Sequence, residues 1–423
     1  LTVAAARGIA RPARDRGGLT REAAVPETGG PLAGVRVIDL TLNVLGPFAT
    51  QLLGDAGAEV IKIEPPGGDP LRHVGPSRTP GMGAMFANLN RNKRSVQLDL
   101  KGGAGRAALL RLIAGADVFV HNMRLAAAAR LGLDHAALAP SQPRLVYAAA
   151  TGFRKDGPLR DRPAYDDIVQ GLSGLASLNG GPDAAPRYVP AVIADKIAGQ
   201  ALATAVTMAL FHRERSGAGQ EVHVPMLETM LAFTLVEHMW GATLGEPGLG
   251  LGYPRVLTRH RRPYATQDGH ICVVANTDAQ WRRLFAVIGR PHLAEDPRFA
   301  TAGSRMEHID TLYGMLAEAF AGRPTAVWLG LLEAADVPCG RVNTLADLFA
   351  DDYLRETGFF QEAEHPTAGR MTMLPIPTAF SRTPATIRAL PPALGADTEA
   401  VLREAGLSTA EIAAARGAAP GAA

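Results

Sequence analysis

The stretch "VRVIDLTLNVLGPFATQLLGDAGAEVIKIE", Val35 to Glu64, reads as one complete βαβ unit. "VRVIDLT" has the β-branched, apolar character of a strand, and "AEVIKIE" repeats it. Between them "GPFATQLLGDAG" reads as a short helix ended by glycine, a residue that turns left-handed at a helix end with little steric cost. The pattern continues downstream. "KRSVQLDL" predicts a third strand, "GAGRAALLRLIAGA" a helix, "DVFVHN" a fourth strand and "RLVYAAATGF" a fifth. Strands alternating with helices predict an α/β fold with a mainly parallel, doubly wound sheet of Rossmann-like type.

Residues 196 to 240 read as largely helical, interrupted by "QEVHVPM", which has short strand character. The glycine-rich "GEPGLGLGYP" follows, then the strand "GHICVVAN" and the amphipathic "DAQWRRLFAVIG", which predict a smaller α/β domain. "TAVWLGLLEAADVPCGRVNTLADLF" reads as helix, strand and helix, and "FFQEAEHPTAGRMTMLPIPTAF" as a strand pair. An Ala-rich helix begins near Asp397. The expected division is an extension over 1–30, a large domain over 31–240, a linker and small α/β domain over 241–350, and a return over 351–423 that packs on the large domain.

Two domains suit 423 residues, which exceed one ordinary core. With 47% hydrophobic and 20% charged residues and a net charge of +2, the composition is that of a globular enzyme. No long basic block marks a nucleic-acid partner. Cys272 and Cys339 lie far apart and form no CxxC or Cys/His cluster, so neither a disulfide framework nor a metal site is expected, and a reducing cytoplasm fits. The first thirty residues lack the apolar core of a secretion signal, and Asp15, Glu22 and Glu27 count against an organellar transit peptide. No apolar run is long enough to predict a membrane span.

Glu64, after the second strand, stands where a dinucleotide enzyme would bind ribose, but "LTLNVLGPFATQ" lacks the three glycines of GxGxxG. "GLSG" is not a nucleophile elbow, and His212, His223 and His238 lack the spacing of a zinc motif. "PAVIADKIAGQALATAVTMALF", Pro190 to Phe211, is almost wholly apolar or small, yet Asp195 and Lys196 stand near its start. Asp195 reads in two ways. It caps the helix, or it is a reactive carboxylate kept ionised in a dry pocket by the helix N-terminus.

"LLGDAGAEVIKIEPPGGDP", "NRNKRSVQLDLK", "GADVFVHN", "RPAYDDIVQGLSGL", the segment holding Asp195, "HRERSGAGQEVHVPMLE" and "ADVPCGRVNTLADL" follow one another in an order that resembles the class III CoA-transferases. The resemblance is to the formyl-CoA transferase, or CaiB/BaiF, type and runs from about residue 31 to the end. It implies that Asp195 is the nucleophile, forming an acyl anhydride and then an aspartyl-CoA thioester. It implies that coenzyme A or acyl-CoA is a substrate, with no tightly bound cofactor. By the same resemblance Val44 and Leu45 flank CoA, Leu98 and Lys101 lie near adenine, Asn122 and Met123 line its path, and Arg130 pairs with phosphate. Tyr165, Gly248 and Gly250 are expected at the substrate pocket, the glycines as part of a lid. An interlocked homodimer is implied as well, with acyl-CoA and a carboxylic acid as partners.

The acceptor acid is open, and "RHRRPY", Arg259 to Tyr264, offers a cation for a dicarboxylic acid. Acyl-CoA racemases of the same superfamily have histidine where Tyr165 stands, serving as one of two bases. Tyrosine is a poor base at neutral pH, which favours transfer over racemisation. The alternatives are such a racemase, or a noncatalytic CoA-binding protein that keeps the fold.

Overall fold

The computed structural model describes residues 29–181 and 184–417. The extension expected over 1–30 lies almost wholly outside the described residues. Six strands, β1 (Arg36–Leu40), β2 (Glu59–Glu64), β3 (Lys93–Gln97), β4 (Val118–His121), β5 (Val146–Thr151) and β6 (Glu221–Pro225), form one sheet in the order β3-β2-β1-β4-β5-β6. Every neighbouring pair is parallel, with Ile38 opposite Ile61 on one side and Phe119 on the other. The doubly wound α/β sheet expected from Val35–Glu64 is therefore the observed one, and "QEVHVPM" provides its sixth strand.

Helices occupy both faces, as a sheet of buried parallel strands requires. The elements following the strands are α1 (Leu45–Asp55), α2 (Ala84–Leu89), α3 (Gly103–Ala114), α4 (Leu125–Arg130), α5 (His135–Leu138), α6 (Asp166–Leu172), α7 (Leu175–Gly180), α8 (Ile193–Ser216) and α9 (Met226–His238). One core joins Val37, Val60, Val120 and Ala148 to Leu53 of α1 and to Ala198, Leu202 and Val206 of α8. The opposite face packs Ile38, Ile61 and Phe119 against Leu109 and Ile113 of α3. The helices Thr398–Glu404 and Thr409–Arg416 cover that face through Val401, Leu402 and Ile412.

Strands β7 (Tyr264–Ala265), β8 (His270–Val273) and β9 (Cys339–Arg341) form a small antiparallel sheet. It shares a core with Leu284 and Phe285 of the helix Asp278–Val287, whose Thr277 and Gln280 form a capping box. The strand pair read from the tail is the hairpin β10 (Gln361–His365) and β11 (Gly369–Met373). Among the described residues, no helix is long and apolar enough to cross a membrane.

The fit of α8 against α1 positions Asp195. Gly199 has no room for a side chain, since a Cβ there would meet the Leu45 carbonyl oxygen at 2.6 Å. Asp195 lies one turn earlier on the same helix face. It is thereby set beside the start of α1 and the loop after β1.

Candidate active site

Parallel α/β sheets place their ligand crevice outside the carboxyl ends of the strands, where the chain order reverses. Here the reversal falls between β1, which is followed by β2 on one side, and β4 on the other. A cavity of about 790 Å³ runs along that edge. Loops after β1 (Leu42, Asn43), β2 (Pro65–Gly67), β3 (Leu98–Lys101), β4 (Asn122–Arg124) and β5 (Thr151, Gly152, Arg160) line it, and Asp195 lies at its β5–β6 side.

A buried polar network supports the loop after β1. The Lys62 ammonium donates to the Thr41 carbonyl (2.8 Å) and to Asp69 (2.9 Å), and the Asp69 carboxylate accepts from the Asn43 N–H (3.3 Å). Asn43 itself is left-handed, with φ 66°. A left-handed non-glycine residue is costly unless its surroundings fix it, and such residues gather at functional sites. Glu64 touches the cavity but is saturated: Arg72, Ser95 and the Asp69 N–H donate to its two oxygens at 2.6–3.0 Å. It has no capacity left for a ribose hydroxyl, in keeping with the missing phosphate loop.

Asp195 does not cap α8. The helix begins at Ile193, its N-cap is Val192, and no cap bond comes from a side chain at that position. The cap comes instead from α6: the Asp166 carboxylate accepts the Asp195 N–H through Oδ1 (3.0 Å). Its Oδ2 accepts from the Gln170 amide (2.6 Å), and the Gln170 oxygen accepts the Val189 N–H (2.8 Å). Asp166 and Gln170 thus clamp the segment leading into α8. The Asp195 carboxylate accepts no hydrogen bond from a described residue and faces the cavity.

Burial, and secondly the Asp166 charge, push the Asp195 carboxyl up to about 7. The expectation that the helix start keeps it ionised is corrected. Desolvation and a like charge both act against ionisation here, so near neutrality both protonation states are populated.

Leu45, Leu98, Lys101, Asn122, Met123, Tyr165 and Asp195 all line this cavity. Asn122 is committed elsewhere: its amide donates to the Leu42 carbonyl (2.8 Å) and accepts the Leu42 N–H (3.1 Å), tying the loop after β1 to β4. Four other residues expected at the site are placed differently. Val44 turns into a separate apolar cluster with Leu71 and Phe86, because the left-handed Asn43 rotates the chain there. Arg130 closes the far end of α4, exposed, while Arg124 at the start of that helix reaches the cavity. Gly248 and Gly250 belong to an exposed loop folded on itself, where Trp240 stacks on Tyr253 at 5.5 Å and the Gly241 N–H donates to the Gly250 carbonyl.

Sequence reasoning missed Asn43, Arg124, Thr151, Arg160, Arg162 and Asp166. Arg162 and Asp166 had a signal, as members with Tyr165 of the stretch "RPAYDD". Of the three histidines weighed, His223 donates or accepts at Thr151 Oγ1 (2.8 Å), and none lines the cavity. Among the described residues, no group of three or more His, Cys, Asp or Glu is placed to hold a metal ion.

The model of CoA-transferase family III matches residues 32–398, most of the chain. The protein belongs to that family. It is 33% identical to a succinate–glutarate CoA-transferase of Agrobacterium fabrum, across 90% of this chain and 97% of that one. It is 38% identical to an acetyl-CoA:oxalate CoA-transferase of Acetobacter aceti, across 75% and 82%. Among solved structures, a CaiB/BaiF family protein from Brucella suis superposes with a TM-score of 0.75 at 30% identity, covering 89% of this chain and all of its own. Rv3272 from M. tuberculosis gives 0.76 at 31%, covering 88% and 99%. As a family III CoA-transferase, the protein is an enzyme that transfers CoA, and CoA thioesters are its substrates.

Proposed function

We propose that the protein moves CoA from an acyl-CoA to a carboxylic acid through covalent intermediates on Asp195. An Asp195 oxygen attacks the thioester carbonyl carbon, the C–S bond breaks, and CoA thiolate leaves an acyl-aspartyl anhydride. The thiolate then attacks the aspartyl carbonyl carbon and releases the donor acid, leaving an aspartyl-CoA thioester. The acceptor carboxylate attacks that thioester and expels the thiolate, which finally attacks the acceptor's carbonyl carbon. Acyl-CoA departs and the Asp195 carboxylate is restored, with no proton or electron gained or lost.

The observation that carries this reading is Asp195 itself, a half-buried carboxylate with no hydrogen-bond donor among the described residues, facing the cavity that follows the sheet edge. Partial desolvation strengthens a carboxylate nucleophile and limits attack by water on either intermediate. The reacting end of CoA must meet Asp195 near β5 and β6. The remaining cavity leads past Met123 and Arg124 to Lys101 beyond β3, about 19 Å away at the usual strand spacing. The names of the relatives favour a dicarboxylic substrate.

Two copies are proposed to associate through the outer face of α8, where Met208 and Phe211 are 66% and 64% exposed beside a second, mostly apolar cavity. The transfer reading is tested by mixing the protein with a panel of acyl-CoAs, trapping with borohydride or hydroxylamine, and mapping the adduct by peptide mass spectrometry. The adduct belongs on Asp195 and vanishes in Asp195→Ala. A trapped adduct elsewhere overturns the assignment.

A further inference from the structure

We propose that Arg162, with Arg160 beside it, forms the subsite for the second carboxylate of a dicarboxylic acyl group. This rests on the transfer reading above and names the residues that would select its substrate class. The cations of the cavity fall into two sets. Lys101 and Arg124 come from the loops after β3 and β4, on the way to the end remote from Asp195. Arg160 and Arg162 come from the long connection between β5 and α6, which runs directly into Tyr165 and Asp166.

That connection is anchored at the nucleophile. Asp166 holds the Asp195 N–H at 3.0 Å, and an extended chain from Arg162 to Asp166 spans at most about 14 Å. A long, flexible side chain at 162, exposed along the cavity wall, is therefore within reach of its reacting half. Its charge is also uncommitted. On the same loop Arg154 pairs with Asp156 at 2.5 Å and Arg160 touches Asp161 at 3.3 Å, whereas Arg162 forms no ion pair among the described residues.

A reaction between a thioester and a simple monocarboxylic acid gives such a guanidinium nothing to bind beyond the reacting carboxylate. A dicarboxylic acid brings a second, unreactive carboxylate, and the planar fork of arginine matches it in bidentate fashion. The cluster Arg259–Tyr264 does not compete for this role within the chain. It lies outside the cavity lining, and Arg259, 67% exposed, faces Asp310 at 3.9 Å.

The test measures steady-state transfer by the full chain from acetyl-CoA and succinyl-CoA to succinate, glutarate, acetate and butyrate. Calorimetric titration of glutarate and of CoA into the same proteins runs alongside. Arg162→Ala is expected to raise KM for succinate and glutarate about 10- to 100-fold, the loss of a charge-assisted pair. Acetate and butyrate should change less than about twofold. Arg162→Lys should recover part of the loss, because lysine keeps the charge without the fork.

Equal loss for all four acids, or weakened CoA binding, overturns the proposal by assigning Arg162 to the CoA phosphates. So does a parent enzyme that shows no preference for dicarboxylic acids. Should the parent transfer CoA to none of them yet bind glutarate through Arg162, the transfer reading fails and the subsite stands. Loss of glutarate binding in Arg162→Ala, with thermal unfolding and CoA binding unchanged, supports the subsite independently of turnover.

Discussion

Replacing Asp195 by Asn should make the protein inactive and, above neutral pH, more stable. The folded carboxyl titrates near 7 against an ordinary value of 3.8, because burial and Asp166 oppose its charge. Between those values the folded state holds a proton that the unfolded chain has lost. Stability therefore falls as pH rises through this window. At about 1.4 kcal/mol per pH unit, the fully ionised carboxylate costs roughly 4 kcal/mol above pH 7. Asn keeps the shape without the titration, so the variant's advantage should grow by about 2–3 kcal/mol between pH 5 and pH 8. Urea unfolding of parent and variant at matched pH and protein concentration measures this directly. A constant offset between the two from pH 5 to 8.5 would refute the raised carboxyl, and with it the claim that desolvation prepares the nucleophile.

The pH dependence of kcat/KM should rise with an apparent midpoint near 7, since only ionised Asp195 attacks. Asp166→Asn should move that limb to lower pH by removing a nearby negative charge, and should lower the rate because its amide opposes the Gln170 donor. Lys62→Met leaves Asp69 and the Thr41 carbonyl without their shared donor in the interior. A loss of about 3–5 kcal/mol is expected for breaking such a buried pair, read from denaturant unfolding. Finally, Met208→Asp with Phe211→Asp should shift sedimentation toward the single chain, because charge on that face opposes burial between copies.

Particular residues show where sequence reading reaches its limit. The strands from Val35 to Thr151 were legible because a parallel sheet covered on both faces demands unbroken apolar runs between helices. Asp195 stood out in the sequence as a carboxylate near the start of a small-residue helix, a pattern that fits a cap equally well, and its reading as nucleophile came from the resemblance to the class III CoA-transferases. Its electrostatic state was not legible. That state depends first on burial and then on Asp166, which is distant in sequence and brought to the start of α8 by packing of α6. Asn122 lines the cavity, but that its amide is used on Leu42, far away along the chain, was not legible. Val44 and Leu45 are adjacent letters, but one left-handed residue before them sends their side chains to different cavities.

The sequence by itself determined the doubly wound sheet, the likeness to family III and the identity of the candidate nucleophile, because periodicity and motif order are properties of neighbouring residues. Tertiary structure alone decided which carboxylate caps α8, how far Asp195 is desolvated, and which arginines share its cavity. Those outcomes come from side chains meeting through space at the strand ends, and neither the distances nor the dielectric surroundings that govern them are written in local pattern.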